Sequence, residues 1–143
     1  QQLAAFCVTG FERERPELAA LALVPDALWL AAATTGAGAD IAALARQVRA
    51  LGQAGDLLLA ITIAGNEPAM LEAVQAAHER DMTVVALTGR DGGALATLLR
   101  ETDVQICVPH DRPARVREVH ALVLHCLCDG VDAQLLGEQE NPI

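Results

Sequence analysis

Aromatic side chains are almost absent from this chain, since Phe, Trp and Tyr make up 2% of its residues whereas 52% are hydrophobic. The core must therefore consist mainly of Ala, Leu and Val, and such small side chains let helices pack closely. Basic side chains are also few, with 10 Lys and Arg against 19 Asp and Glu and a formal net charge of −9. This balance argues against a surface that binds nucleic acid or an acidic membrane, although it leaves a basic protein partner open.

Long apolar runs and targeting signals are lacking as well. No uninterrupted hydrophobic stretch approaches the roughly 20 residues that span a bilayer, and the first residues lack the charged start and cleavage pattern of a signal peptide. We therefore expect a cytoplasmic protein that does not contact membranes. A length of 143 residues predicts a single domain that covers residues 1–143.

The cysteine pattern gives no sign of a metal site or a disulfide framework. Cysteines stand at positions 7, 107, 126 and 128 without a repeated C-x-x-C spacing. Cys126 and Cys128 are two residues apart on a predicted helix, so their side chains point roughly 200° apart and are poorly placed to share a metal. The cysteines are expected to be reduced thiols buried in apolar surroundings.

The most informative stretch is 56–80, which predicts a strand, a glycine turn and an amphipathic helix in immediate succession. Residues 57–63 are continuously apolar, as in a strand that is covered on both faces of a parallel sheet. Gly65 and Asn66 supply the turn, and Pro68 stands in the first turn of the helix. Such a turn directs backbone N–H groups to the carboxyl edge of the sheet, where open α/β folds bind anions. The same unit is also the ordinary repeat of any α/β protein.

The rest of the chain repeats this alternation of strands and helices. Predicted strands cover residues 19–24, 83–88 and 104–108, and predicted helices cover residues 1–8, 27–33, 41–51, 94–99 and 113–136. Asp40 is the predicted cap of the helix at 41–51. Continuously apolar strands between helices indicate an α/β fold with a parallel sheet in three layers. The first helix has no N-cap and no initiator Met, so we expect its beginning to be absent.

Three stretches resemble the sugar isomerase (SIS) domain family, namely RALGQAGDLLLAITIAGN, MTVVALTGRDGG and VPHDRPARVREVHALVLHCLCD. They are most similar to phosphoheptose isomerases and to the related DnaA initiator-associating proteins, and FERERP near the start fits the same group. The resemblance covers residues 11–139. It implies a flavodoxin-like parallel sheet and a homotetramer with ligand pockets at subunit interfaces. It also implies N-terminal helices, a first strand and an Asn-Gly-rich loop, which are expected to be missing here.

The resemblance implies a ligand site at the turns that follow two strands. Its expected ligand-binding residues are Thr62, Gly65, Asn66, Glu67, Thr88 and Gly89. The isomerases have Ser-Thr-Ser-Gly-Asn-Ser at the first turn to hold the sugar phosphate, whereas Thr62 is the one hydroxyl that this chain keeps there. Glu67 puts a carboxylate where the phosphate is expected, and two unit charges about 4 Å apart repel by about 4 kcal/mol at an effective dielectric near 20. Glu67 can at the same time stabilise the helix through its dipole.

Most catalytic positions that the resemblance implies are changed. A His and a Glu on the first helix correspond here to Gln2 and Phe6, and a Gln and a His on the last helix correspond to Arg117 and His125. Phe cannot transfer a proton, and Arg is a permanent cation that repels Zn²⁺. His125 and Glu118 are therefore the catalytic remnants, with a packed helix histidine as the other interpretation of His125. No metal ligands and no cofactor are expected.

These substitutions lead us to predict a non-catalytic SIS-domain binding protein of the initiator-associating type, with a degenerate sugar-phosphate pocket. In that group a Leu-Phe pair near the C-terminus helps to bind the replication initiator DnaA, and Leu135 and Leu136 correspond to it here. The expected partners are further copies of the chain in a homotetramer, DnaA and a sugar phosphate. The alternative is an isomerase of sedoheptulose 7-phosphate for lipopolysaccharide heptose synthesis, which would need Zn²⁺ and a general base. A sensor that binds sugar phosphate without reacting is a third hypothesis.

Overall fold

The computed structural model describes residues 1–24 and 39–137. The helices in these ranges are α1 (Gln2–Thr9), α2 (Ala39–Leu51), α3 (Pro68–Glu79), α4 (Gly93–Leu98) and α5 (Pro113–Leu136), and the strands are β1 (Leu57–Ile61), β2 (Thr83–Gly89) and β3 (Val104–Val108). The chain divides into two compact units, one formed by residues 1–22 and 118–143 and the other by residues 23–117. The single domain over residues 1–143 stays a prediction.

A parallel sheet lies at the centre of the second unit. Its strands stand in the order β1, β2, β3, with Leu57 opposite Thr83 and Val85 opposite Val104. Helices alternate with these strands along the chain, so the α/β class with a parallel sheet is confirmed. Parallel strands end at the same edge, and the turns after β1, β2 and β3 therefore meet at the carboxyl edge of the sheet.

Small side chains fill the core of this unit, as the composition predicts. The buried cluster consists of Ala45, Val48, Ala60, Ala73, Val74, Ala76, Ala77, Val84, Ala86 and Leu95. Several of these alanines belong to α2 and α3, so the two helices can approach closely without large side chains between them. An unusual lack of aromatic residues is thus compatible with a dense core.

The buried carboxylate of Asp103 stabilises the amino edge of the sheet. Asp103 accepts hydrogen bonds from the backbone N–H groups of Val84 at 2.9 Å and Arg100 at 2.8 Å, and it lies 2.7 Å from Nε2 of His78. Burial pushes the pKa of Asp103 upward, but the hydrogen bonds from Arg100, Val84 and His78 outweigh it and the pKa is lowered. Asp103 therefore ties β2, α3 and the approach to β3 together in its charged form.

The first unit is held together by Arg15. Its guanidinium group donates to the carboxylate of Asp132 on α5 and to the carbonyl oxygens of Cys7 and Phe6 on α1. The side chains of Arg15 and Asp132 are only 1% and 3% exposed. The ion pair is therefore almost fully removed from water and links α1 to α5 within this unit.

Helix α5 is apolar but largely exposed. One 18-residue window has a mean hydropathy of 1.3, and 17% of it is buried. By length and composition alone this helix could cross a membrane, although charged residues interrupt its apolar sequence. This property is weak evidence for a membrane, because a helix whose apolar side is covered in an assembly can have the same length and composition. Val119, Leu122 and Leu135 are among its exposed residues.

Several sequence-based predictions differ from the structure. Residues 19–24 form no strand, and Leu21 is 69% exposed, because no neighbouring strand in the described part of the chain pairs with this apolar run. The prediction that β1 is covered on both faces is also wrong, since Leu57 and Ile61 are 59% and 41% exposed. Asp40 lies inside α2 instead of capping it. The predictions for residues 25–38 and 138–143 fall outside the described residues.

Candidate functional site

The turn after β1 is closed by the hydroxyl group of Thr62. The Thr62 N–H still continues the sheet by donating to the carbonyl oxygen of Leu87, whereas its Oγ1 accepts from the N–H of Gly65 at 3.0 Å. The hydroxyl donates its single proton to the carboxylate of Glu67, with 2.5 Å between Oγ1 and Oε2. Because a hydroxyl has one proton to give, this side chain serves the turn and offers no hydrogen to an incoming anion.

Glu67 is the N-cap residue of α3, but its side chain makes no capping hydrogen bond. Its carboxylate is instead turned back to Thr62. The start of α3 therefore carries a negative charge, and the carboxylate accepts no hydrogen bond from the N–H groups of the first helical turn. An anionic ligand at this helix N-terminus would meet that charge.

Glycines bring the turns after β1 and β2 into backbone contact. Gly65 has φ of 73°, and a Cβ atom built on it would lie 2.1 Å from the carbonyl oxygen of Gly92. Gly93 has φ of 59°, and its Cβ would lie 2.2 Å from the carbonyl oxygen of Ala64. The N–H of Leu95 donates to the carbonyl oxygen of Gly65 at 2.9 Å. No other residue type fits these two contacts, so the two turns form one rigid rim.

Asn66 joins the first turn to the start of α4. Its Oδ1 accepts from the N–H of Ala94 at 2.8 Å, while the N–H of Gly93 donates to Oδ1 of Asp91 at 3.0 Å. The side-chain NH₂ group of Asn66 donates to no group in residues 1–24 or 39–137. Asn66 is therefore positioned by its oxygen, and among the described residues its NH₂ group remains an available donor at the rim.

Thr88 and Gly89 lie beneath the rim. Thr88 is fully buried, and Gln105 donates to its Oγ1 from Nε2 at 3.1 Å. A Cβ atom on Gly89 would come within 2.6 Å of the carbonyl oxygen of Ile63 and 2.8 Å of the side chain of Val116. Both residues are therefore buried beneath the two turns and contribute to the packing under the rim.

A cavity of about 410 Å³ opens at the carboxyl edge of the sheet. Its lining residues are Ala64, Asn66, Arg90, Asp91, Pro109 and Asp111. Of the six predicted ligand-binding residues, Asn66 alone is in this lining. The sequence analysis missed Arg90, Pro109 and Asp111. Their position shortly after β2 or β3 could have indicated them, because the carboxyl ends of the strands in a parallel sheet lie at one edge.

The predicted catalytic remnants lie on the part of α5 that belongs to the first unit. The ring of His125 stacks on Phe11 with centroids 5.3 Å apart and meets the edge of Phe6 at 6.1 Å. Glu118 precedes His125 by seven residues, or about 10.5 Å along the helix. Leu135 and Leu136 are exposed near the end of the same helix.

The cysteines differ in part from the expectation of buried thiols. Cys128 is buried, and burial raises the pKa of its thiol. Cys107 and Cys126 are exposed, and Cys7 is half-buried. Among the residues that the structure describes, no three His, Cys, Asp or Glu side chains come together in a way that could hold a metal ion.

Comparisons with known proteins identify the family. The sequence profile described as SIS domain matches residues 1–89. A phosphoheptose isomerase from Methylibium petroleiphilum is 58% identical over 141 residues, which are 98% of this chain and 70% of that protein. The chain belongs to the SIS-domain family. The phosphoheptose isomerase of Azoarcus sp. is 53% identical to this SIS-domain protein over 143 residues, covering 98% of the chain and 71% of the relative.

Solved structures agree with this assignment. Phosphoheptose isomerase from Neisseria gonorrhoeae superimposes with a TM-score of 0.83 at 47% identity, over 92% of this chain and 68% of that one. The enzyme from Francisella tularensis gives a TM-score of 0.84 at 40% identity over the same shares. The predicted resemblance to SIS domains of the phosphoheptose isomerase group is confirmed.

The same relatives correct the functional prediction. The expected non-catalytic protein of the initiator-associating type is wrong, because relatives that are 58% and 53% identical over nearly the whole chain carry the name of an isomerase. The prediction that the protein is not an enzyme is overturned by the same finding. A DnaA partner, and with it the assignment of Leu135 and Leu136 to DnaA binding, finds no support. The substitutions at Gln2 and Phe6 do not outweigh the similarity of the whole chain to these isomerases.

Proposed function

We propose that this SIS-domain protein isomerises a phosphorylated seven-carbon sugar, interconverting the ketose and aldose forms of sedoheptulose 7-phosphate. One observation carries the proposal: 58% identity to a phosphoheptose isomerase extends over 98% of the chain. Such an identity covers the sheet, the rim and α5 together, and it favours a shared reaction over a shared scaffold. In a cell the product would serve lipopolysaccharide heptose synthesis.

The cavity at the carboxyl edge supports a small polar ligand. Its volume of about 410 Å³ lies in the range of small-molecule sites. Asp91 and Asp111 offer carboxylate oxygens that accept hydrogen bonds from hydroxyl groups, and Asn66 offers its NH₂ group as a donor. A polyhydroxylated sugar chain needs both acceptors and donors around it. The lining therefore suits a sugar better than an apolar ligand.

Isomerisation moves a proton between two neighbouring carbon atoms, so the reaction needs a group that can take up and return a proton. His125 is the candidate carrier, because the ring nitrogens of an imidazole can both accept and donate a proton. The rings of Phe6 and Phe11 fix the plane of this imidazole by stacking and edge contacts. Glu118 is the second candidate, two helical turns away on α5.

The isomerase interpretation implies zinc, but the residues present do not fit it. The rings that contact His125 belong to Phe6 and Phe11 and carry no ligand atoms, whereas catalytic zinc sites use three N, O or S ligands. In the described ranges no such set forms elsewhere. We therefore expect chelation with EDTA to leave the isomerisation rate unchanged.

Self-association is part of the proposal. An 18-residue apolar window of α5 is only 17% buried within one chain, and Leu122 and Leu135 lie exposed on this helix. Covering them with further copies of the chain would remove this apolar surface from water. We propose the homotetramer that the family resemblance implies, and a cytoplasmic location.

The test is turnover with purified protein and sedoheptulose 7-phosphate, followed by NMR detection of the aldose and of deuterium uptake from D₂O. We expect turnover by the wild type and its loss in both His125→Ala and His125→Phe. The Phe variant keeps a ring against Phe6 and Phe11, so it separates proton transfer from packing. Absence of turnover by the wild type overturns the function, and full activity in His125→Phe overturns the role of His125 alone.

A further inference from the structure

The start of α3 is poorly suited to hold the anionic end of a ligand. Glu67 places its carboxylate there, and the only hydroxyl of the turn, on Thr62, already donates to that carboxylate. An anion bound at this helix N-terminus would face a fixed negative charge and find no hydroxyl donor. A phosphorylated ligand therefore needs another positive group near the rim.

Arg90 is such a group. It lines the cavity beside Asn66 and is exposed. Throughout the described part of the chain its guanidinium group forms no hydrogen bond and no ion pair, although Asp91 and Asp111 line the same cavity. Within the described residues, the guanidinium group of Arg90 therefore forms an ion pair with neither Asp91 nor Asp111. Its donors are available to a ligand, together with the free NH₂ group of Asn66.

The backbone of Arg90 is also held in an unfavourable conformation. Its φ is 55°, in the left-handed region that residues other than glycine rarely adopt. Glycine, which adopts this conformation without strain, already stands at positions 89, 92 and 93 of the same turn. Arginine at position 90 thus brings strain that a glycine would remove, and strain of this kind is typical of functional positions.

We propose that Arg90 binds the phosphate group of the ligand in the cavity, with the NH₂ group of Asn66 as a second donor, in place of the N-terminus of α3. The identity of the ligand as a phosphorylated sugar rests on the proposed function. Asp91 and Asp111 then accept hydrogen bonds from the sugar hydroxyls. Arg90 is accordingly the residue that distinguishes a phosphorylated sugar from the free sugar.

The experiment is calorimetric titration of the wild type and of Arg90→Gln, Arg90→Lys and Arg90→Gly with sedoheptulose 7-phosphate, free sedoheptulose and inorganic phosphate. We expect Arg90→Gln to weaken binding of the phosphorylated sugar by about 10- to 100-fold, as loss of a hydrogen bond to a charged group does. Arg90→Lys should lose less, and the affinity for free sedoheptulose should not change. Arg90→Gly should lose phosphate affinity while its melting temperature rises above that of Arg90→Gln.

Two control variants lie at the amino edge of the sheet. Asp81 has the same φ of 55°, so Asp81→Gly should raise the melting temperature without changing the affinity for either ligand. Arg100 is exposed, and Arg100→Gln removes a positive charge far from the strand ends that form the cavity. It should leave phosphate binding unchanged, which excludes a general effect of net charge.

The outcomes separate this inference from the proposed function. Unchanged binding of both phosphorylated sugar and inorganic phosphate by Arg90→Gln overturns the role of Arg90, whether or not the wild type is an isomerase. Loss of phosphate binding in Arg90→Gln, in a protein whose wild type shows no isomerisation, overturns the proposed function and supports Arg90. A wild type that binds neither phosphate compound overturns both.

Discussion

Gly65 and Gly92 approach each other backbone to backbone, and a Cβ atom on Gly65 would lie 2.1 Å from the carbonyl oxygen of Gly92. This contact joins the turn that follows β1 to the turn that follows β2. It fixes the spacing between Asn66 and Arg90, which line the same cavity from the two turns. The rim of the site is therefore set by main-chain packing, with side chains projecting from it.

Gly65→Ala should destabilise the protein strongly, because alanine adds both an unfavourable positive φ and an overlap with a carbonyl oxygen that cannot move away. Gly55 provides the matched control, with φ of 88° and nothing within 4 Å of its Cβ position. We expect Gly55→Ala to lower the free energy of unfolding by about 1 kcal/mol and Gly65→Ala by about 3 kcal/mol or more. Urea denaturation measures both, and equal losses would contradict a close contact between the turns.

Glu67→Gln should strengthen the binding of phosphorylated sugar. The substitution keeps the side-chain size and the acceptor for the Thr62 hydroxyl, and it removes the negative charge at the start of α3. Because Glu67 is exposed, solvent screening reduces the repulsion well below the value at close range, and we expect a gain in affinity of about 2- to 5-fold. Calorimetry with sedoheptulose 7-phosphate measures it. Glu101→Gln removes an exposed charge at the amino edge as a control, and an equal gain there would show a net-charge effect only.

Much of the fold could be predicted from local patterns. The bounds of β3 and α5 agree with the prediction, because proline ends the strand at Pro109 and opens the helix at Pro113. The apolar run at residues 19–24 was misjudged, since an apolar pattern does not show whether a neighbouring strand is there to pair with it. Local sequence therefore determines where an element can form, and tertiary partners decide whether it does.

Only the part of the site that lies within a single turn could be predicted from the sequence. Gly65 and Asn66 were found because a glycine after an apolar run marks a strand-to-helix turn. Arg90 and Asp111 belong to different turns and share a cavity only because β2 and β3 are neighbours in the sheet. The contact between Phe6 and His125 likewise joins residues far apart in the chain. The sequence around either residue of such a pair gives no indication of the contact between them.

Asp103 should make stability depend on pH in the acid range. Its pKa is lowered in the folded protein, so the charged form contributes stability that is fully present above the unfolded value of about 3.9 and is lost as pH falls through the lower folded value. Asp103→Asn should remove this dependence and, at pH 7, lower the free energy of unfolding by about 2–4 kcal/mol, because the N–H groups of Val84 and Arg100 lose a charged acceptor.

The measurement is urea denaturation of both proteins between pH 2 and pH 7. Glu79→Gln is the control, since the pKa of Glu79 is also lowered, by the hydrogen bond from Arg49, but this pair lies on the exposed surface. An exposed pair adds little to stability, so the control should follow the wild-type curve. If Asp103→Asn also follows the wild-type curve, the buried carboxylate does not control acid stability.

The pair of Arg15 and Asp132 should be far more sensitive to loss of one partner than to loss of both. Arg15→Met leaves the buried carboxylate without its cation, and Oδ2 of Asp132 already has no hydrogen-bond partner in the ranges that the structure describes. We expect it to lower the free energy of unfolding by about 3–5 kcal/mol, and the double variant Arg15→Met with Asp132→Leu to regain about 1–4 kcal/mol of that loss. Arg13→Gln removes only an exposed hydrogen bond to the carbonyl oxygen of Gly137, and it should change the free energy of unfolding by less than about 0.5 kcal/mol. Denaturation of the wild type, the single variants Arg15→Met and Asp132→Leu, and the double variant gives the coupling directly, and additive losses would show that Arg15 acts through its bonds to the α1 carbonyl oxygens instead. Since Arg15 also binds the carbonyl oxygen of Phe6, whose ring contacts His125, the single variant should reduce turnover as well.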